Sequence, residues 1–482
     1  MSNFLSRLFE NKPSRPAVSL EQAAEILKTD PKALAAFESA YHTAMLEDEK
    51  TNDDFFQTNS RQASAQARDG MSDVPSEENL QVAVAVGSRI VEELVAQTRV
   101  YVFDGDLSEP DRMDYFPSLP PTTAMVSNAD INALPKPLRP QLTGNLMRRD
   151  ISEESYPHIL YFYREAQNPK RSEKDRKYAY NMFRQGLDIL DLDSIMYKII
   201  GTNPNSMGYW LPSLVAACRG QDFFKIPATR IATVPLTMLQ LTRSEYTELT
   251  QTTLNIVDQW ASKVFQLDET KDYFIKTGTY SSKFDFRNAK VTGAKEVREL
   301  GEYLLFIHYQ ACQMASPLTT PCTYGVSTTT EWVVRDFIPD KENNPCIYKG
   351  MPLHTEYRVF IDADQKTVLG ISPYWEPNTM KNRFKSGADE SVHHAHDYAV
   401  YKAHEETLMN RYNANKDAVL NHIQNILPNL DLPGQWSIDI MQNGDEFYII
   451  DMALAENSAF YECVPPALRR PSAENWIPQL TD

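Results

Sequence analysis

The second half of the chain alternates between helical and strand spacing of its apolar residues. Segments with an apolar residue every three or four positions are separated by shorter apolar or alternating runs that are typical of strands. The predicted helices cover about 244–264, 294–315 and 396–426, and the predicted strands cover 273–277, 331–338, 356–361 and 367–374. This order of elements predicts an α+β fold for the C-terminal half.

A β-hairpin is predicted near the C-terminus. Two apolar, β-branched runs, 436–440 and 447–451, flank the turn-forming residues Asn443-Gly444-Asp445. Each run carries one aspartate, Asp439 or Asp451, among residues that otherwise belong in a core. A carboxylate in that setting is costly unless it is paired or holds a cation.

Two further oxygen-bearing side chains, Glu456 and Asn457, follow the second run. Carboxylate and amide oxygens are ligands that suit Mg²⁺. The hairpin and the residues just after it therefore predict an Mg²⁺ site.

The first half of the chain is mainly helical in its pattern and shows no catalytic motif. Capping signals at Ser19, Asp30 and Ser76 predict helix starts. Residues 47–76 are polar and acidic, as in a linker, and residues 109–145 are rich in proline and predicted to be extended or looped. We therefore expect three parts: a helical accessory region with an acidic linker (1–98), a mixed helical and Pro-rich region (99–221) and an α+β domain (222–482).

Composition and charge limit the partners and the compartment. The formal net charge of −17 argues against nonspecific binding to nucleic acid or to an anionic membrane, although a local basic groove is compatible with it. The five cysteines are scattered and include no Cys-x-x-Cys, so neither a disulfide framework nor a structural zinc site is expected. No signal peptide and no membrane span are found in the sequence, and a cytoplasmic location is expected.

A lysine stands at the end of a predicted strand, next to a polar loop. Lys276 belongs to the apolar run 273–277 and precedes a loop rich in hydroxyl groups that ends at Lys283. Such a lysine can place its ammonium, with backbone N–H groups of the loop, on phosphate oxygens. The alternative is a surface lysine before an ordinary turn. Neither a Walker A loop nor a Gly-x-Gly-x-x-Gly motif is present.

Two later strands carry arginines in apolar surroundings. Arg335 lies in the run 331–338, and Arg358 shares one face of the run 356–361 with Glu356. A cross-strand ion pair at a solvated sheet face would explain either strand taken singly. The presence of both arginines, both lysines and the acidic hairpin in one segment favours a phosphate-binding site.

Two other groups of residues each have two interpretations. The cluster His393-His394-Ala395-His396-Asp397 can bind a transition metal, but solvated histidines before a helix are the preferred interpretation. The aromatic pair Tyr374-Trp375, with Asn378, can line a substrate pocket or pack at a sheet edge.

The order of the main motifs resembles an ATP-grasp domain. It is most similar to two branches of that superfamily: the phage and bacterial branch named for two arginines and a lysine, and the eukaryotic cell-division-cycle family that assists assembly of a trimeric translation initiation factor. The resemblance covers about residues 222–465, roughly half of the chain. The motifs are Phe274-Ile275-Lys276, Val333-Val334-Arg335-Asp336-Phe337-Ile338, Glu356-Tyr357-Arg358-Val359-Phe360, Gly370-Ile371-Ser372, Ser437-Ile438-Asp439-Ile440 and Ile450-Asp451.

The resemblance implies a two-lobed fold that binds ATP, preceded here by a mainly helical region. It places Lys276 on the α- and β-phosphates. The flexible loop that covers the phosphates would contain Thr279, Ser281, Ser282 and Lys283. The hinge between the lobes, whose backbone reads the adenine edge, would contain Val334, Asp336, Phe337 and Ile338.

The resemblance also implies catalytic and metal-binding residues. The side chains facing phosphate or an acyl-phosphate intermediate would be Arg358, Arg335 and Lys283. The ligands of Mg²⁺ would be Asp439 and Asp451, with Glu456 or Asn457 as a third. Here the sequence departs from the family pattern, which often has an asparagine two positions after the second acidic residue, because Ala453 stands at that position.

The expected function is that of an ATP-dependent ligase joining a carboxylate to an amine or a similar nucleophile. The acceptor would be a small carboxylate, a peptide or a protein, which the sequence does not identify. One alternative is an ATP-regulated protein-assembly factor without ligase turnover, and another is a phosphotransferase that uses the same cleft. The sequence gives no indication of the oligomeric state.

Overall fold

A computed structural model of the protein describes residues 20–37, 76–142, 168–179, 200–243, 249–314, 328–385 and 392–470, with single positions and short runs elsewhere between 39 and 197. Helices and mostly antiparallel strands are mixed, which confirms the α+β class. The strands are β1 (Arg99–Phe103), β2 (Arg112–Tyr115), β3 (Phe224–Lys225), β4 (Thr229–Thr233), β5 (Tyr273–Thr277), β6 (Lys290–Val291), β7 (Glu331–Asp336), β8 (Cys346–Ile347), β9 (Met351–Pro352), β10 (Thr355–Asp362), β11 (Thr367–Pro373), β12 (Gln435–Asn443) and β13 (Glu446–Leu454). The helices are α1 (Leu20–Thr29), α2 (Glu77–Ala96), α3 (Asn128–Ala133), α4 (Met207–Ala217), α5 (Leu236–Leu239), α6 (Gln251–Phe265), α7 (Phe286–Ala289), α8 (Gly293–Arg298), α9 (Leu300–Met314), α10 (Pro377–Lys385) and α11 (Val392–Ile426).

The strands predicted in the second half are all present, and their ends move by at most three residues. The predicted helix over 294–315 is divided into α8 and α9 at Glu299. Helix α6 begins at Gln251, because the hydroxyl of Thr250 accepts a hydrogen bond from the backbone N–H of Thr253 and so caps it. The residues 244–248, where its start was predicted, lie outside the described residues.

A six-stranded sheet has the order β2-β1-β4-β7-β5-β6. Strand β7 lies in its centre and is antiparallel to both β4 and β5, which places Lys276 opposite Val333 and Phe274 opposite Arg335. Strand β1 pairs with β4, with Tyr101 opposite Ile231. Strands from both sides of residue 222 therefore belong to one sheet.

A five-stranded sheet has the order β11-β10-β12-β13-β3 and contains the predicted β-hairpin. Strands β12 and β13 form that hairpin, and Gly444 occupies its turn with a φ of +65°. Such a φ favours glycine, which has no Cβ to clash. The register places Asp451 opposite Asp439, and Asp439 opposite Arg358 of β10.

Two hydrophobic clusters hold these sheets. Helices α2, α6 and α9 cover one face of the six-stranded sheet, where Trp260 and Trp332 meet edge to face with ring centroids 5.6 Å apart. The second cluster takes side chains from both sheets and from α4 and α11, among them Val333, Ile438 and Trp210. Because protein cores are close-packed, this shared cluster fixes the position of one sheet against the other.

The predicted N-terminal helices are present as α1, a helical stretch over 31–37, and α2. Ser76 caps α2 as predicted, because its hydroxyl accepts a hydrogen bond of 3.2 Å from the N–H of Asn79. Leu27 of α1 and Phe37, in a helical stretch over 31–37, pack in a third cluster with residues of α11. The predicted linker lies, up to residue 75, outside the described residues. No helix in the described part of the chain is long and apolar enough to cross a membrane.

Candidate functional site

Charged side chains from both sheets meet where β5 and β7 approach β13. Lys276 Nζ, on the six-stranded sheet, lies 3.1 Å from Asp451 Oδ1 on the five-stranded sheet. Beside it, Arg358 donates two hydrogen bonds to Asp439, of 2.7 Å from Nε and 2.6 Å from Nη2. This bidentate geometry is the strong form of an arginine–carboxylate pair. The strand register therefore brings four of the predicted site residues together.

Arg335 is the second cation that the six-stranded sheet contributes. Its Nε donates to Thr229 Oγ1 at 3.1 Å, and its Nη1 donates to the carbonyl oxygen of Ile450 on the five-stranded sheet. Its Nη2 is buried and has no hydrogen-bond partner among the described residues. Burial lowers the pKa of Arg335 to about 10, and the negative charge of Asp451 opposes that shift. Arg335 therefore remains charged at neutral pH and keeps one donor for a ligand.

Lys283 joins the cluster from the loop after β5. Its Nζ donates to the hydroxyl of Tyr374 and lies 4.4 Å from the centre of that ring, while Arg358 Cζ lies 4.7 Å from the same ring centre. Burial lowers the pKa of Lys283 to about 8, against the charge of Glu356. Burial raises the pKa of Glu356 to about 7, against the charge of Lys283. Both groups therefore titrate near neutral pH.

The rest of this loop is turned largely toward the protein. The N–H of Thr279 donates to Thr277 Oγ1 at 3.3 Å, and Ser282 Oγ donates to Gln310 Oε1 of α9 at 3.1 Å. Ser282 is 2% exposed, whereas Ser281 is partly exposed. Of the predicted phosphate-covering residues, only Lys283 has an interaction with the charged cluster among the contacts described above.

The predicted hinge begins inside β7 and continues past its end. Val334 pairs with β4 on one side and β5 on the other, so its backbone belongs to the interior of the sheet. Asp336 lies 3.3 Å from Lys271 Nζ, the N–H of Phe337 donates to the carbonyl of Asp272, and Ile338 is partly buried. The backbone N–H groups of Asp336 and Phe337 therefore both bond within the protein, to the carbonyls of Ala228 and Asp272.

A cavity of about 600 Å³ adjoins this hinge. Among its lining residues, Lys290 Nζ lies 4.3 Å above the ring of Phe337. The lining residues are Thr270, Lys271, Asp272, Lys290, Asp336, Phe337, Pro339, Asp340, Gly350 and Pro352. An aromatic ring, backbone groups and mixed charges in one concave space suit a small polar ligand.

The predicted metal ligands are only partly brought together. Asp439 and Asp451 are cross-strand neighbours, whereas Asn457 Oδ1 accepts a hydrogen bond of 2.9 Å from Asn205 Nδ2, and Glu456 is partly buried beside it. Within the described residues no group of three or more His, Cys, Asp and Glu side chains lies close enough to hold a metal ion. Mg²⁺ at nucleotide sites takes one or two carboxylates and completes its shell with phosphate oxygens and water. The two aspartates fit that kind of site.

Three residues near the cluster were not among the predicted site residues. Glu356 was noted only for sharing a face with Arg358, and Tyr374 had two interpretations; the ring contacts place Tyr374 at the site, whereas Trp375 is buried in a core. Glu331 had no signal in the sequence. Its carboxylate accepts a hydrogen bond of 2.9 Å from the N–H of Gly208, and burial raises its pKa to about 7.

The described contacts of the histidine cluster involve His396 and Asp397. His396 Nδ1 lies 3.1 Å from Asp397 Oδ1, and its ring stacks on Phe37 at 5.1 Å between centroids. His396 is 1% exposed, so it packs in the core instead of lying in solvent as the sequence suggested.

Comparison with known proteins gives a weak likeness. No family model matches the chain, and no curated protein matches it. Among solved structures, C-terminally truncated Cdc123 from Schizosaccharomyces pombe shares 13% identity at a TM-score of 0.32, covering 55% of this chain and 93% of that one. Cdc123 from the same organism shares 12% identity at a TM-score of 0.31, covering 56% and 93%. At this level of similarity the function has to be inferred from the geometry of the site itself.

Proposed function

We propose that the chain binds ATP with Mg²⁺ in an ATP-grasp arrangement, with the six-stranded and five-stranded sheets as its two lobes. The observation that supports this most is the charged cluster between the sheets: Lys276 and Arg335 from one sheet, with Asp451 and the Arg358–Asp439 pair from the other. Lysine and arginine neutralise phosphate oxygens, and paired carboxylates hold the Mg²⁺ that accompanies them.

Lys276 and Arg358 are each paired with an aspartate, and nucleotide binding would exchange these partners. Phosphate oxygens would replace Asp451 and Asp439 as acceptors for Lys276 and Arg358, which leaves both carboxylates available for the metal ion. The unpartnered Nη2 of Arg335 offers a further donor to phosphate. When bound, Mg²⁺ would neutralise the negative charge of the phosphates.

The reaction that we propose is carboxylate–amine ligation. A substrate carboxylate would attack the γ-phosphate, ADP would leave, and an amine would displace phosphate from the acyl-phosphate formed. The protein would orient the reactants and stabilise charge through Lys283, Arg335 and Arg358, without a covalent nucleophile of its own. The two groups that titrate near neutral pH, Lys283 and Glu356, suit a site in which protons are transferred.

A second candidate is an ATP-regulated protein-assembly factor without turnover. The observation that favours it is the engagement of Asn457 by Asn205, with no third acidic ligand beside Asp439 and Asp451 among the described residues. A site with fewer protein ligands for the metal can bind nucleotide and still lack efficient chemistry.

Nucleotide binding is tested by thermal unfolding with and without Mg-ATP. We expect Mg-ATP to raise the Tm of the wild-type protein, and Asp451→Asn to abolish that shift while the fold is retained. The matched control is Asp445→Asn, which changes an exposed aspartate in the turn of the same hairpin. An unchanged nucleotide-induced shift in Asp451→Asn would overturn the metal assignment.

The reaction is tested by mass spectrometry of candidate substrates after incubation with Mg-ATP. ADP, phosphate and a coupled adduct would support the ligase. ADP with a phosphorylated acceptor would support a phosphotransferase instead. Binding without turnover across a broad panel of acceptors would favour the assembly factor.

A further inference from the structure

A short segment that ends in the first turn of α4 touches both sheets beside the charged cluster. It comprises residues 203–208, which we call the strut. On the side of the five-stranded sheet, Asn205 Oδ1 accepts a hydrogen bond of 2.8 Å from the N–H of Leu454, and Asn205 Nδ2 donates to Asn457 Oδ1 at 2.9 Å. Leu454 comes three residues after Asp451 on β13. The amide of Asn205 is thereby fixed to the strand that carries a proposed Mg²⁺ ligand.

On the side of the six-stranded sheet, the strut binds the loop that follows β5. The N–H of Met207 donates to the carbonyl of Gly278 at 2.9 Å, and the N–H of Gly208 donates to Glu331 Oε2 at 2.9 Å. Gly278 comes two residues after Lys276, and its own N–H donates to the carbonyl of Glu331 at 2.9 Å. The same short segment is thus bonded next to both members of the Lys276–Asp451 pair.

The side chain of Glu331 packs tightly against Gly208 and Gly278. A Cβ added at Gly208 would overlap Glu331 Oε1, and a Cβ added at Gly278 would overlap Thr329 Oγ1 and lie 2.7 Å from Glu331 Oε2. Real Cβ atoms do not approach other atoms so closely, so both positions need glycine with the carboxylate where it is. Glycine at these two positions lets the strut and the loop after β5 both pack against the carboxylate of Glu331.

We propose that residues 203–208 set the separation between Lys276 and the aspartates of the hairpin, with Asn205 and Glu331 as positioning residues for the phosphate and Mg²⁺ site. This inference rests on the proposed nucleotide binding. It gives the first half of the chain a role in a site whose charged residues all come from the second half. Neither positioning residue touches the nucleotide; each acts through the residues that do.

The test measures Mg²⁺-dependent binding of MANT-ATP, a fluorescent ATP analogue, to the full chain. Because Asn205→Ala removes two hydrogen bonds, we expect the Mg²⁺ concentration for half-maximal binding to rise roughly tenfold. Asn421→Ala, at an exposed position of α11, is the matched control and should leave it unchanged. Glu331→Ala should raise the requirement in the same way, whereas Glu331→Gln should restore it, because its amide oxygen still accepts from Gly208.

A second measurement keeps the test independent of nucleotide. Hydrogen exchange at the Leu454 amide should be faster in Asn205→Ala than in the wild-type protein, since that amide loses its acceptor.

If Asn205→Ala does not fold, Asn457→Ala removes only the outer hydrogen bond and should give a smaller increase in the Mg²⁺ requirement. An unchanged requirement in Asn205→Ala or Glu331→Ala, or unchanged exchange at Leu454, would overturn the strut. Failure of the wild-type protein to bind MANT-ATP would overturn the proposed function, while Leu454 exchange would still decide whether the strut holds the two sheets.

Discussion

At the scale of single residues, the site is a set of buried charges, and ion pairing offsets the free energy that their removal from water costs. Arg358 and Asp439 are 12% and 10% exposed in their side chains, and each is the main partner of the other. The side chain of Lys276 is 4% exposed, and Asp451 is its ion-pair partner. A charge removed from water is tolerated only with such a partner, so truncating one member leaves the other unpaired.

The Arg358–Asp439 pair gives the first prediction. Arg358→Ala should lower the free energy of unfolding by about 3 kcal/mol or more, because it leaves the Asp439 carboxylate buried and unpaired. Arg298→Ala is the control, since Arg298 pairs with Glu269 at an exposed site with 62% and 46% exposure, where such pairs contribute less than about 1 kcal/mol. Urea denaturation measures both, and equal effects would contradict this account of the site.

Glu331 gives a prediction about pH. Burial raises its folded-state pKa to about 7 from an ordinary value of 4.5, so between these values the native protein binds more protons than the unfolded chain. Its contribution to stability is therefore present below about pH 4.5 and is lost as the pH rises through 7. The stability of the wild-type protein relative to Glu331→Gln should fall between pH 5.5 and 7.5, within a limit of about 3 kcal/mol. Denaturation of both proteins at the two pH values checks this, and a pH-independent difference would contradict it.

At the scale of elements, the sequence predicts what depends on local pattern. The hairpin, the strand carrying Lys276 and the capped start of α2 follow from apolar alternation, turn residues and Ser76. The sequence does not predict which strands pair with each other. Strand β1 pairs with β4, which lies more than a hundred residues away, and no local pattern indicates that pairing. The same limit explains why Asn205 and Glu331 were missed, since their partners Leu454 and Gly208 are neighbours only after folding.

Two glycine substitutions, one in the hairpin turn and one in α2, are expected to change the stability of the protein in opposite directions. Gly444→Ala should destabilise the protein by about 1 kcal/mol, because the hairpin turn holds this residue at a φ of +65°. Gly87→Ala should stabilise it by up to about 1 kcal/mol, because Gly87 lies inside α2 and an added Cβ would meet Ile256 at an ordinary 3.7 Å. Both are measured by chemical denaturation, and the same sign for the two changes would contradict the described backbone.

At the scale of the whole molecule, the first half of the chain belongs to the same structure as the site. Strand β1 forms an interior strand of the six-stranded sheet, α2 packs on α6, and the strut reaches both sheets. The resemblance begins near residue 222, but the sheet and the core do not divide there.

A fragment containing only residues 222–482 should therefore not fold on its own. It would expose the edge of β4 and the apolar side chains that β1 and α2 cover, which favours aggregation. Expression of this fragment beside the full chain, with solubility and thermal unfolding as readouts, tests the expectation. A soluble fragment with a cooperative transition would show instead that residues 222–482 are an independent domain.

The most direct test of the central claim is a calorimetric titration of the full chain with ATP in the presence of Mg²⁺. We expect saturable binding to the wild-type protein and to the exposed-lysine control Lys263→Gln. Lys276→Gln should bind roughly tenfold to a hundredfold more weakly, because it loses a charge-assisted contact to phosphate. No saturable heat with the wild-type protein, or an affinity of Lys276→Gln equal to that of the control, would contradict a nucleotide site between the two sheets.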